Sequence, residues 1–193
     1  MIRLDYEIIA DIIEPGAKVL DLGCGDGELL SLLKAKKHCR GTGIEINDKE
    51  VVKCLERGVS VAHGDVHSDL DVYGDDRFDY VILNESLQQV LDIEKVLHDS
   101  LRVGRRVIVG IPNFCTLGAR TQIFFRGRVP VTSSLPFKWY NTPNLRFLSL
   151  KDFWSFCDEK GIRIEKTRFL SEGKELRFFP NLLADSGIFV LSR

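Results

Sequence analysis

The sequence predicts an α/β fold: a three-layer sandwich with a mostly parallel seven-stranded sheet, an antiparallel edge hairpin and an insert after the fifth strand. Three observations predict it. Short apolar runs alternate with segments of helical periodicity from residue 6 to residue 111, and that alternation implies right-handed crossovers between parallel strands. The first apolar run stops abruptly in Gly23-Cys24-Gly25-Asp26-Gly27, and a helical pattern follows. Three successive strand ends each carry an acid, namely Asp21, Glu45 and Asp65.

Each element has its own signal. Tyr6 to Ile13 places apolar residues at helical spacing and ends at Pro15-Gly16, a breaker pair. Val19 to Leu22 is the first strand and Glu28 to Lys37 the helix that follows the glycines. Gly41 to Ile46 is a strand, Asp48 to Arg57 an amphipathic helix, and the third strand starts at Val59 and ends in Gly64-Asp65-Val66. Phe78 to Leu83 and Arg105 to Ile111 are strands four and five, with a helix from Ile93 to Arg102 between them. Asp152 to Lys160 reads as an aromatic-rich helix halted by Gly161. Ile162 to Leu170 and Gly187 to Leu191 are expected to pair as the edge hairpin. Lys174 to Asn181 reads as a connector whose Phe178 and Phe179 are expected to cover core.

The glycine-rich turn predicts a ligand. Glycine adopts backbone angles closed to other residues and lets a ligand approach the main chain, and the following helix aims free N–H groups at that place. The dinucleotide fingerprint is G-x-G-x-x-G, facing a pyrophosphate. Here the glycines are evenly spaced and Asp21 precedes them, which would repel a pyrophosphate but pair with an ammonium group. S-adenosylmethionine (SAM) has that ammonium, a sulfonium and no phosphate. Glu45 lies about twenty residues beyond the glycines, the distance of a ribose-binding carboxylate. Asp65 is suitably placed to receive an adenine amino group.

Length and composition bound the rest. A chain of 193 residues suits a single domain over 1–193. With 27 Lys+Arg against 28 Asp+Glu, the global charge gives no support for a nucleic-acid partner. The five cysteines are scattered without a C-x-x-C pair, which favours reduced thiols over disulfides or zinc. No apolar run approaches the roughly twenty residues that span a bilayer, and Asp5 and Glu7 sit where a signal peptide would carry none. A soluble, cytoplasmic protein without membrane contact is expected.

The segment Asn113 to Leu150 breaks the alternation. It holds Arg120, Arg126, Arg128, Lys138 and Arg146 and no acid. Taking those five charges from the chain's net of -1 leaves about -6 on the remainder. Pro130, Pro136 and Pro143 favour an irregular excursion, interleaved with Phe124, Phe125, Phe137, Trp139 and Tyr140. Two readings stay open: a lid whose aromatics fill core, or a substrate or partner surface anchored by Arg126, Arg128, Trp139 and Tyr140.

Catalytic groups are scarce. Methyl transfer from a sulfonium needs alignment and exclusion of water, and a base only when the acceptor must lose a proton. After strand four comes Asn84-Glu85-Ser86-Leu87-Gln88-Gln89-Val90, with no Asn/Asp-Pro-Pro-aromatic turn. Glu85 is the one titratable candidate there, and it would act as a base only if desolvation raised its pKa. Gln89, in the same stretch, offers an amide, which takes no proton near neutral pH. His63 and His67 flank Asp65, but the strand-end position argues against a metal site, and none is expected.

The order D-x-G-x-G-x-G, an acid after strand two and G-D after strand three resembles the class I SAM-dependent methyltransferases, with their Rossmann-like sandwich. The resemblance sharpens at Leu101-Arg102-Val103-Gly104-Arg105-Arg106, Ile111-Pro112-Asn113-Phe114, Gly127-Arg128-Val129-Pro130-Val131-Thr132, Leu135-Pro136 and Trp139-Tyr140-Asn141-Thr142-Pro143-Asn144. These are similar to the methionine biosynthesis protein MetW family over nearly the whole chain. The resemblance implies that SAM or S-adenosylhomocysteine is held by Asp21, Gly23, Cys24, Gly25 and Gly27 of the turn, by Glu45 and Ile46, by Gly64, Asp65 and Val66, and by Asn84 and Leu87. It also implies association with homoserine O-acetyltransferase as a SAM-binding accessory protein, with a homodimer open. The competing reading is an active methyltransferase on a small acid or similar metabolite, with the basic insert holding the acceptor's negative charge.

Overall fold

The computed structural model describes residues 3–132 and 135–193; Met1 and Ile2 of the amino-terminal stretch and Ser133 and Ser134 of the insert lie outside the described residues. Helix α1 (Leu4–Ile12) leads to β1 (Lys18–Leu22), α2 (Glu28–Lys37), β2 (Arg40–Glu45), α3 (Asp48–Glu56), β3 (Ser60–His63) and β4 (Phe78–Asn84). A 3-10 turn (Leu87–Gln89), α4 (Ile93–Val103) and β5 (Gly104–Pro112) follow. The insert contains α5 (Leu117–Arg126), and the chain closes with α6 (Leu150–Glu159), β6 (Arg163–Ser171), β7 (Lys174–Leu176), α7 (Pro180–Leu183) and β8 (Ser186–Ser192).

The described strands form one sheet in the order β3-β2-β1-β4-β5-β8-β6-β7. β1 to β5 pair in parallel. β8 runs antiparallel between β5 and β6, and β7 pairs antiparallel with the end of β6. Successive strand residues face opposite sides, and the core divides accordingly. Val19, Tyr80 and Ile82 pack with Ile8 and Ile9 of α1 and with Leu29, Leu30 and Leu33 of α2. Leu20, Leu22, Val81 and Leu83 pack with Val96, Leu97 and Leu101 of α4 and with Leu150 and Phe153 of α6. Burying side chains of this kind stabilises by roughly 1.5–3 kcal/mol each.

Three expectations are corrected. The sheet has an eighth strand, Lys174–Leu176, in the stretch expected to be a connector; Glu172 and Gly173 turn the chain with φ of 47° and 73°, the left-handed angles of a tight hairpin. Three residues are too few for a readable period of two. The insert is not wholly irregular, because α5 lies within it, capped by the Thr116 hydroxyl, which accepts from Ala119 N, and ended at Gly127 with φ of 58°. Its one buried residue is Ala119, so no apolar stripe marks it in the sequence. Phe178 and Phe179 do not cover core: they are 76% and 75% exposed, carried outward where Asn181 is pinned by Asn113 and Lys151.

Candidate ligand-binding site

β1 and β4 are neighbours whose connections leave in opposite directions along the sheet. The crevice outside the carboxyl ends of such strands is where open α/β sheets bind ligands. β1 empties there into the glycine turn, and Gly23, Gly25 and Gly27 all have positive φ, 74°, 54° and 76°. The turn is tied to the end of β2, since Gly23 N and Cys24 N both donate to the Ile44 carbonyl (2.8 and 3.2 Å).

Glu45 braces this turn from β2. Its Oε2 accepts from Gly25 N and its Oε1 from Asn47 N, both at 2.9 Å. Each oxygen keeps a lone pair for a further donor. Asp65 caps its own loop, accepting from His67 N at 2.9 Å, while its N–H donates to Asp69 Oδ2. A Cβ on Gly64 would lie 1.8 Å from that Asp69 oxygen, so this close approach requires glycine.

Asp21 is the unusual member. It is 3% exposed, shares the face of Val19, and has no side-chain hydrogen bond or ion pair among the described residues. Burial, and next the nearby Glu45 charge, push its carboxyl up to about 7. A buried carboxylate without a partner is costly, and a cationic ligand group would relieve that cost.

The structure brings Gly23, Gly25, Glu45, Ile46, Gly64, Asp65 and Val66 around one cavity of about 470 Å³, a size suited to a nucleoside-type ligand. Asp21, Cys24 and Gly27 lie behind this lining. Cys24 Sγ is 3.8 Å from Cys54 Sγ, and burial pushes both thiols up, which makes them poor nucleophiles. Leu87 is fully buried in the core and does not line this cavity. Asn84 donates to Asp5 at 2.8 Å and lines a different cavity. His67, Ser86, Gln89, Val90 and Leu91 also line the first cavity. Their signal in the sequence was position alone, just beyond the ends of strands three and four.

That second cavity, of about 320 Å³, is lined by Arg3, Asp5, Asn84, Glu85, Glu172 and Asp185 among others, and Glu85 belongs to both. Glu85 has a φ of 58°, and its carboxylate is paired with Arg3 at 2.7 Å and 49% exposed. His63 and His67 serve separately, His63 against the Ile46 carbonyl and Asp48 and His67 accepting from Leu91 N. Among the described residues no cluster of three metal-ligating side chains occurs, and no helix is long and apolar enough to cross a membrane.

An unpartnered buried carboxylate, a braced acid with lone pairs to spare and a glycine cradle fit the ammonium, ribose and nucleoside portions of SAM. Sheet order, crevice and glycine turn together define the class I SAM-dependent methyltransferase fold. Solved structures agree on the fold: a SAM-dependent methyltransferase from Archaeoglobus fulgidus superposes with a TM-score of 0.70 at 15% identity, covering 97% of this chain and 94% of that one. One from Thermotoga maritima gives 0.68 at 19% identity, covering 98% and 87%. A family profile, methionine biosynthesis protein MetW, matches residues 3–191, and the chain belongs to that family. It is 33% identical over 205 residues to the bifunctional methionine biosynthesis protein MetXA/MetW of Rhodopirellula baltica. That alignment covers the whole of this chain and 33% of the relative; the chain spans about a third of the length of the curated relatives it matches.

Proposed function

We propose that the chain binds SAM or S-adenosylhomocysteine in the 470 Å³ cavity and acts in the cytoplasm as an accessory, SAM-responsive partner of homoserine O-acetyltransferase. The observation that carries this reading is the Rhodopirellula relative, whose name joins MetXA and MetW in a single polypeptide. Two functions carried on one chain in one organism act at close quarters, and as separate chains they need a contact surface.

The insert supplies such a surface. Phe124 is 82% and Trp139 72% exposed, with Phe125 and Tyr140 beside them. Arg120 bonds the Cys115 and Asn181 carbonyls, and Lys138 lies over the Tyr140 ring. The Arg126 and Arg128 guanidiniums have neither hydrogen bonds nor ion pairs among the described residues. Exposed aromatics rimmed by free guanidiniums match the composition of interface anchors. The expectation that these aromatics fill core loses its support, and Asp21, Gly23, Gly25, Glu45 and Asp65 remain the ligand-holding residues of this reading.

A second reading, methyl transfer to a small acceptor, is favoured by the cavity that adjoins the first at Glu85. Its acceptor would be a neutral or cationic amine, because Asp5, Glu85, Glu172 and Asp185 line it against the lone cation Arg3. The insert's cations line neither cavity, so a small acid is the poorer candidate. Calorimetric titration of SAM into the chain tests the ligand; size-exclusion of the chain with the acetyltransferase of its own organism tests the partner. Binding in both supports the accessory reading, and binding in the first alone favours methyl transfer.

A further inference from the structure

The loop between β4 and α4 touches both regions that the proposed function needs. On one side Gln89, Val90 and Leu91 form a wall of the ligand cavity, and Leu91 N donates to His67 Nε2 across it at 3.1 Å. On the other side the returning arm of the insert takes hold of three of its carbonyls. Leu145 N donates to the Gln88 carbonyl at 3.0 Å. The Arg146 guanidinium spans the next two, Nη1 donating to the Val90 carbonyl and Nη2 to that of Leu91.

Arg146 differs from the other cations of the insert. Arg120 also bonds two carbonyls, but those held by Arg146 belong to residues that line the ligand cavity, and its fork spans both at once, a geometry a lysine ammonium does not reproduce. The loop is tied within itself, because the Gln88 and Gln89 side-chain amides both donate to the Glu85 carbonyl (2.8 and 3.2 Å). Next to Arg146, Phe147 packs edge-on against Phe114 at 4.7 Å, and both line one cleft with Phe137 and Trp139. Two residues, Arg146 and Phe147, thus join the Val90–Leu91 wall to the cleft that Trp139 lines.

We propose that Arg146 is a positioning residue that latches the insert to the ligand-cavity wall, so that ligand occupancy sets the order of the aromatic face. The inference rests on the ligand reading of the cavity and not on the identity of the partner. Occupancy that orders one end of such a contact favours order at the other, and the coupling acts equally in both directions.

The test is amide hydrogen exchange on the isolated full chain, with S-adenosylhomocysteine as the probe, for the wild type, Arg146→Ala and Arg146→Lys. The ligand should slow exchange of residues 86–91 in all three, which shows that the variants are folded and loaded. In the wild type it should also slow residues 137–148 several-fold; that second effect should vanish in Arg146→Ala and be weakened in Arg146→Lys. An insert indifferent to ligand in the wild type, or protected equally in both variants, would overturn the latch. Should Arg146→Ala fail to fold, Arg146→Lys decides by the same criterion. Calorimetry on the same samples separates the two failures: no binding heat in the wild type removes the ligand reading and the latch with it, whereas binding without spread to 137–148 removes the latch alone.

Discussion

The glycine turn and the insert flank the same loop yet use their side chains in opposite ways. Around the turn, polar groups point inward: Glu45 satisfies two backbone donors, Asp21 is buried without a partner, and the glycines take left-handed angles. In the insert, Phe124, Phe125, Trp139, Arg126 and Arg128 point outward, and α5 buries only Ala119. Changes in the first region should therefore alter stability and ligand affinity together. Changes in the second should alter association and leave stability alone.

The largest effect is expected at Glu45. Glu45→Ala strands the Gly25 and Asn47 N–H groups, costing about 1–3 kcal/mol for each donor left unsatisfied, and should weaken SAM by about 100-fold, since 1.4 kcal/mol is tenfold in affinity. Thermal denaturation and calorimetry read both; a stable variant with unchanged affinity would break the contrast.

Asp21→Asn comes next and separates the two properties. The folded pKa of Asp21 is raised, to about 7, so its contribution to stability is present at low pH and lost as pH rises through that value. Asp21→Asn should thus melt higher than the wild type at pH 8, and the gain should shrink steadily below pH 7 and disappear only near pH 3.8, the value at which the unfolded carboxyl is protonated too. A cationic ligand favours the ionised form. Wild-type SAM affinity should therefore climb with pH between about 6 and 8, by at most about tenfold per unit, while the variant binds weakly and without that slope. A pH-independent wild type would remove Asp21 from the ligand's ammonium.

Smaller effects belong to the insert. Phe124→Ser with Phe125→Ser should weaken the acetyltransferase complex by about 2 kcal/mol, the scale of an interface anchor, with folding stability changed by less than about 0.5 kcal/mol. Loss of stability instead would show that these rings belong to the fold. Arg126→Glu with Arg128→Glu should slow association severalfold at low salt, and the difference should shrink as salt is raised. A salt-independent effect would argue for packing over charge.

Legibility in the sequence follows the same division. Strands such as Val19–Leu22 and Phe78–Leu83 are buried on both faces, so continuous apolar runs announce them, and the acids and glycines at their ends mark the cavity. Position alone does not separate Leu87 from Gln89, because a 3-10 turn reverses direction within three residues and places Leu87 in the core and Gln89 at the cavity. In the insert, α5 carried its signal in the caps Thr116 and Gly127, not in any periodic stripe. The exposed Phe178 and Phe179 mimic core composition, and only the surroundings of Asn181 and α7 reveal their outward position. Arg146 read as one more uncompensated charge, because its partners are backbone carbonyls more than fifty residues away in the chain.

In the proposed function one chain reads SAM at the glycine turn and acts on an acetyltransferase through its outward face. That function is tested most directly by following acetyl-CoA-dependent acylation of homoserine by the acetyltransferase of the same organism, with and without this chain, during a SAM titration. The account predicts a rate that depends on the chain and shifts with SAM in the wild type, with the SAM response abolished in Glu45→Ala. A rate indifferent to the chain at every SAM concentration would contradict it.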